Sequence, residues 1–117
     1  MPLGNSYDLE IKQGATLSLN ITWKDSNGAL INLTGYSARM QARATYESTT
    51  AIFSLANGSG ITLGGAAGTI DVVISATATA ALTAPWAGVW DLEIVSGSNV
   101  VTRLLEGAAY VTPEVTK

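Results

Sequence analysis

The side chains able to do chemistry in this sequence are few, and they are spaced as strands space them. Asp8 and Glu10, and again Asp91 and Glu93, stand two residues apart, which puts each pair of carboxylates on one face of a strand. Two acids at the right separation can serve as general acid and base. The same alternation describes the solvated outer face of a sheet, and that is the expectation here. Arg39 and Arg43 share a strand face with Gln41 between them. Cross-strand pairing with Asp91 or Glu93 would be worth roughly 0.2–1 kcal/mol if exposed, and it is preferred to a ligand site made by the two arginines. Both arginines are also kept as candidate interface residues.

Two short motifs resemble ligand loops and fail on their missing parts. Asp25-Ser26-Asn27-Gly28 copies the start of a calcium loop without the remaining ligands or the terminal glutamate, so it reads as a hairpin turn. Gly64-Gly65-Ala66-Ala67-Gly68 lacks the lysine of a phosphate-binding loop, and no helix of useful length follows. The chain has neither histidine nor cysteine. That removes the serine triad, the thiol nucleophile, the zinc-thiolate site and the neutral-pH proton shuttle, and with them any disulfide scaffold. Acid pairs and Ser-Lys dyads survive this exclusion. The expectation is a chain that is not an enzyme, with no metal and no organic cofactor.

Aromatic residues are the other class able to recognise a ligand or a partner. Trp23 and Trp90 fall on the apolar phase of their strands and are expected in the core. Trp86, in Pro85-Trp86-Ala87-Gly88, lies outside the strand pattern. It is expected to plug the end of the fold, with a role as interface anchor kept beside it. Stacking of a sugar on Trp86 is a rival reading from another class.

The elements that must position these residues are strands. Tyr7, Leu9 and Ile11 alternate with Asp8, Glu10 and Lys12, and Leu17, Leu19, Ile21 and Trp23 alternate with Ser18, Asn20, Thr22 and Lys24. Ala38, Met40 and Ala42 continue the pattern, as do Ile70, Val72 and Ile74, and then Trp90, Leu92 and Ile94. Asp25–Gly28, Asn57–Gly60, Gly64–Gly68 and Gly97–Asn99 supply the turns. The Ala- and Thr-rich stretch from Ser75 to Leu82 predicts one helical turn, capped by Ser75 or Thr77 and ended by Pro85. Leu104-Leu105 and Gly107 predict a bulge in a last strand running from about Val100 to Thr112.

About eight short strands at intervals of roughly 8–12 residues predict a single all-β domain over residues 1–117, an antiparallel sandwich of immunoglobulin-like or jelly-roll-like kind. Its expected core is Leu19, Ile21, Trp23, Met40, Ile70, Val72, Leu92 and Ile94. At 47% apolar and 13% charged residues the chain is not disordered, and its net charge of −3 makes nucleic acid an unsuitable partner. The start, Met1 to Ser6, has no apolar run, and Ile74 to Trp86 is too interrupted to span a bilayer, so neither secretion nor a membrane is expected. The three Asn-x-Ser/Thr triplets at Asn20, Asn32 and Asn57 are read as chance. Ser, Thr, Ala and Gly crowd the outer faces where Lys and Glu usually sit. Such a surface loses little side-chain entropy on association, which favours packing against other protein.

The ordered motifs carry a resemblance. Gln13-Gly14-Ala15-Thr16 opens a strand ending in Trp23, followed by Asp25-Ser26-Asn27-Gly28, Asn32-Leu33-Thr34-Gly35-Tyr36 and Ala38-Arg39-Met40. Trp90 to Ser96, Val101 to Gly107 and Val111 to Val115 close the chain. The series resembles the small β-sandwich virion proteins of tailed bacteriophages: capsid cement proteins, tail-fibre collar proteins and the N-terminal domains of baseplate upper proteins. The resemblance implies a virion structural role after assembly in the host cytoplasm, with no catalytic residues to carry over. A capsid decoration or cement protein contacting the major capsid protein is the first expectation, and a tail collar or baseplate adaptor contacting tail proteins is the second. It also implies a homo-oligomer, with a trimer first, and terminal arms at Met1–Ser6 and Pro113–Lys117 that order on assembly.

Overall fold

A computed structural model describes residues 5–115. In chain order the strands are β1 (Asn5–Ser6), β2 (Leu9–Lys12), β3 (Leu17–Thr22), β4 (Ser37–Arg43), β5 (Ala51–Asn57), β6 (Gly60–Leu63), β7 (Thr69–Ile74), β8 (Trp86–Val95) and β9 (Val101–Thr112). A 3₁₀ turn, Gly65–Ala67, precedes β7, and helix α1, Ala76–Ala80, follows it. Hydrogen bonding connects the strands in the order β1-β9-β8-β4-β5-β6-β7-β3, with β2 beside β1 on β9. The path bends at β5–β6, where only Ala56↔Gly60 and Asn57↔Ile61 pair. Beyond that corner, β6, β7 and β3 close over the other strands as the second layer, and one apolar cluster fills the space between.

The architecture is the all-β sandwich that the alternation predicts, with two adjustments. Pairing is mainly antiparallel, but β1 and β2 run parallel to β9, and β5 runs parallel to β6. Met40, Ile70, Val72, Leu92 and Ile94 are buried as expected, whereas Leu19, Ile21 and Trp23 are only half-buried. β3 ends the sheet path, so its apolar side chains have neighbours on one flank only. Trp23 instead packs edge-on against Tyr36, ring centres 6.3 Å apart.

Local chemistry explains the punctuation. Asp25 Oδ1 accepts from the N–H groups of Asn27 and Ala29, closing the turn that Gly28 completes at φ +83°. Ser75 caps α1, its hydroxyl accepting from the Ala78 N–H at 3.2 Å. The bulge in β9 is at Leu104: Leu92 pairs with Leu105 but Glu93 pairs with Arg103, leaving Leu104 over. Gly107 has a separate task. The carbonyl of Tyr7 turns inward there to accept the buried Trp90 indole N–H at 2.8 Å, and it occupies the space that a Cβ at 107 would need.

The expectation of free terminal arms is corrected for the residues described. Asn5–Ser6 pair with Leu105 and Glu106 in the sheet, and the Glu114 N–H donates to the Gln13 side-chain Oε1 at 3.2 Å, so both ends are held by hydrogen bonds within the chain. The rest of the expected arms, residues 1–4 and 116–117, lies outside the described residues.

Candidate functional site

The outer face of β4, β8 and β9 collects Arg39, Arg43, Asp91 and Glu93, whereas the other acid pair, Asp8 and Glu10, lies apart at and just before β2. Strand register sets them in rows: Arg39, Glu93 and Arg103 in one, and Gln41, Asp91 and Glu106 in the next. Arg39 Nε reaches Glu93 Oε1 at 2.8 Å, which is the cross-strand pairing expected of it. Arg43 is turned differently. Its guanidinium donates to Gln41 Oε1 at 2.7 Å and to the Ser48 carbonyl at 3.0 Å, pinning the loop after β4. Both arginines are therefore engaged within the chain and lie on the same exposed face.

Asp91 is the perturbed group on this face. It stands directly opposite Glu106, an unfavourable like-charge neighbour. Arg103 lies between them, 3.5 Å from each carboxylate. Partial burial, then the charge of Glu93, pushes the Asp91 carboxyl above its ordinary value. Arg103 and Arg39 work against that rise, and Glu106 adds to it. A shallow groove of about 280 Å³ runs along these residues, with Tyr46 exposed at its rim. Chemically, the arrangement pairs Arg39 with Glu93 and shares Arg103 between Asp91 and Glu106. Among the described residues, no group of three or more acidic side chains converges as a metal site.

Trp86 lies at the far end of the same sheet. Its indole packs on the core from the inner phase of β8, lying over Gly88, whose missing Cβ makes room for the ring. Expected outside the strand pattern, Trp86 is instead the first residue of β8, in phase with Trp90, Leu92 and Ile94. The groove beside it, about 380 Å³, is formed by Pro85, Trp86, Tyr110 and Pro113 and is mostly apolar. Tyr110, which sequence reasoning did not single out, is 43% exposed here. Trp86 and the two arginines do not converge: the tryptophan belongs to the apolar end, and the arginines to the charged face.

Sequence reasoning also missed Thr79, the one fully buried polar side chain among the described residues. Its hydroxyl accepts from the Gly14 N–H at 3.1 Å and lies 2.9 Å from the Ala15 carbonyl, tying α1 to the turn between β2 and β3. A threonine in an Ala/Thr-rich stretch carries no signal of that role.

No protein-family model matches the chain, and no curated protein matches it. Among solved structures, it is similar to the extracellular domain of the voltage-gated sodium channel beta4 subunit, at 14% identity and a TM-score of 0.52, over 98% of each chain. That protein is described as a parallel homodimer with a role in cell–cell adhesion. The likeness shows an immunoglobulin-like β-sandwich and nothing about activity.

Proposed function

We propose that the chain is a structural protein of a tailed-bacteriophage virion, acting by protein–protein contact and decorating the capsid shell against the major capsid protein. The observation that carries the contact reading is the apolar end of the sandwich. Tyr110, 43% exposed, presents aromatic surface in a mostly apolar groove bordered by Pro85, the half-buried Trp86 and Pro113, the composition found at the energetic centres of interfaces. The outer face of β3, carrying Ser18, Asn20 and Thr22, adds exposed surface without long charged side chains. Attachment to tail proteins as a collar or baseplate adaptor is the alternative within the same reading. Sugar binding through Trp86 gains no support, because the ring is packed over Gly88 and against the core. Mass spectrometry of separated heads and tails tests the assignment. Many copies on heads are expected; a few copies on tails move the assignment to the collar, and absence from virions refutes both.

A further inference from the structure

The free edge of β3 is a self-complementary docking strand, and we infer that it pairs antiparallel with β3 of a second copy about a two-fold axis at Asn20. Among the described residues, β3 has β7 as its one strand neighbour. Its phase follows from a single bond: the Trp23 N–H donates to the Gly68 carbonyl at 2.8 Å. Hydrogen-bonded positions alternate in an antiparallel ladder, so Leu17, Leu19 and Ile21 turn their backbone groups toward β7. Ser18, Asn20 and Thr22 turn theirs outward, with no strand among the described residues to receive them.

Edges of this kind are ordinarily guarded by charge, proline or a bulge. The opposite flank of the sandwich is guarded, since Glu10 and Lys12 decorate β2 and Asp8 stands just before it. Leu17–Thr22 contains no charged residue and no proline, and its ladder with β7 has no register shift.

The half-buried apolar side chains of β3 and the register of a two-fold pair point to a second copy as the occupant. With Asn20 opposite Asn20 of the second copy, Ser18 faces Thr22 of that copy on the outer surface, and no like charges meet along the strand. On the inner surface Leu19 meets Ile21 of the second copy, covering side chains that one molecule leaves half-buried. The outward groups then exchange about six backbone hydrogen bonds. The edge is only about 20 Å long, six residues at strand rise, so the contact belongs with small, transient interfaces. It forms at high concentration or within an array. This two-fold contact is independent of the virion assignment and of any three-fold clustering through another surface.

The chain contains no cysteine, which makes engineered thiols unambiguous reporters. In the inferred register the two Asn20 Cα atoms stand about 5.5 Å apart, within disulfide reach. The two Ser18 positions are four residues out of register and beyond it. Asn20→Cys is therefore expected to form covalent dimers under mild oxidation at least tenfold faster than Ser18→Cys or Thr62→Cys. The double variant Ser18→Cys/Thr22→Cys restores cross-linking by pairing unlike positions. Sedimentation of the unmodified chain should show concentration-dependent dimers, weakened at least tenfold by Ser18→Lys/Thr22→Lys and unchanged by Thr62→Lys. Circular dichroism of each variant confirms the fold before comparison. A chain that stays monomeric at the highest soluble concentration overturns the inference, as does Asn20→Cys cross-linking no faster than Ser18→Cys.

Discussion

Replacing Thr79 by valine isolates the bond that joins the helix to the sandwich. The side chain is completely buried; its hydroxyl accepts from the Gly14 N–H and shares its one proton between the Ala15 carbonyl at 2.9 Å and the Ala76 carbonyl of its own helix at 3.1 Å. Valine has nearly the same shape, so no cavity opens and the cost is confined to hydrogen bonding. Gly14 is half-buried and loses its acceptor, whereas Ala15 is exposed and its carbonyl can turn to water. At about 1 kcal/mol for each bond, plus a desolvation penalty at Gly14, the loss should reach about 2–3 kcal/mol. Thr79→Ser keeps the hydroxyl and removes one methyl group, for about 1 kcal/mol. Urea unfolding followed by tryptophan fluorescence reads both, provided the transition slope stays constant. A valine variant as stable as the parent, or more stable than the serine variant, would refute the assignment of α1's anchorage to this hydroxyl.

Gly107→Ala drives a Cβ into the Tyr7 carbonyl, with the carbonyl carbon only 2.9 Å away, and should cost about 1–3 kcal/mol of unfolding free energy. Trp90 fluorescence should shift as its indole loses alignment with that carbonyl. Leu92→Ala, at a fully buried site, should lose about 2–5 kcal/mol by calorimetry, and Leu19→Ala on the edge strand clearly less; equal losses would contradict the edge position of β3. The raised pKa of Asp91 means that the native state holds this proton more tightly than the unfolded chain does. Its stabilising contribution is therefore complete below the ordinary value of 3.8 and is lost as pH rises through the folded value. Asp91→Asn should accordingly be favoured over the parent near neutral pH, an advantage that shrinks in acid denaturation series and vanishes below that ordinary value. Arg39→Ala, which breaks an exposed pair, should change stability by no more than about 1 kcal/mol and lose even that in high salt.

What this sequence determined by itself is whatever depends on near neighbours in the chain. Strict alternation assigned faces to β4, β7 and β8, because successive strand side chains point to opposite sides whatever the strand pairs with. Asp25 and Gly28, Asn99 at φ +66°, and Ser75 at the head of α1 marked turns and a cap through bonds or dihedral angles within a few residues. The tertiary structure decided everything that depends on which strands become neighbours. Period two names a residue's face but not its flank, so nothing local shows that β3 is an edge or that Leu19 and Ile21 stop at half-burial. Nor does it show that the N-terminal strands run parallel to β9. The row of Gln41, Asp91 and Glu106 exists only once β4, β8 and β9 lie side by side, and the perturbation of Asp91 follows from that register. Thr79 and the Tyr7 carbonyl acquire their roles from groups 64 and 83 residues away. A hydrogen bond across such a distance needs only that the fold bring donor and acceptor together, and it leaves no pattern in the sequence around either one.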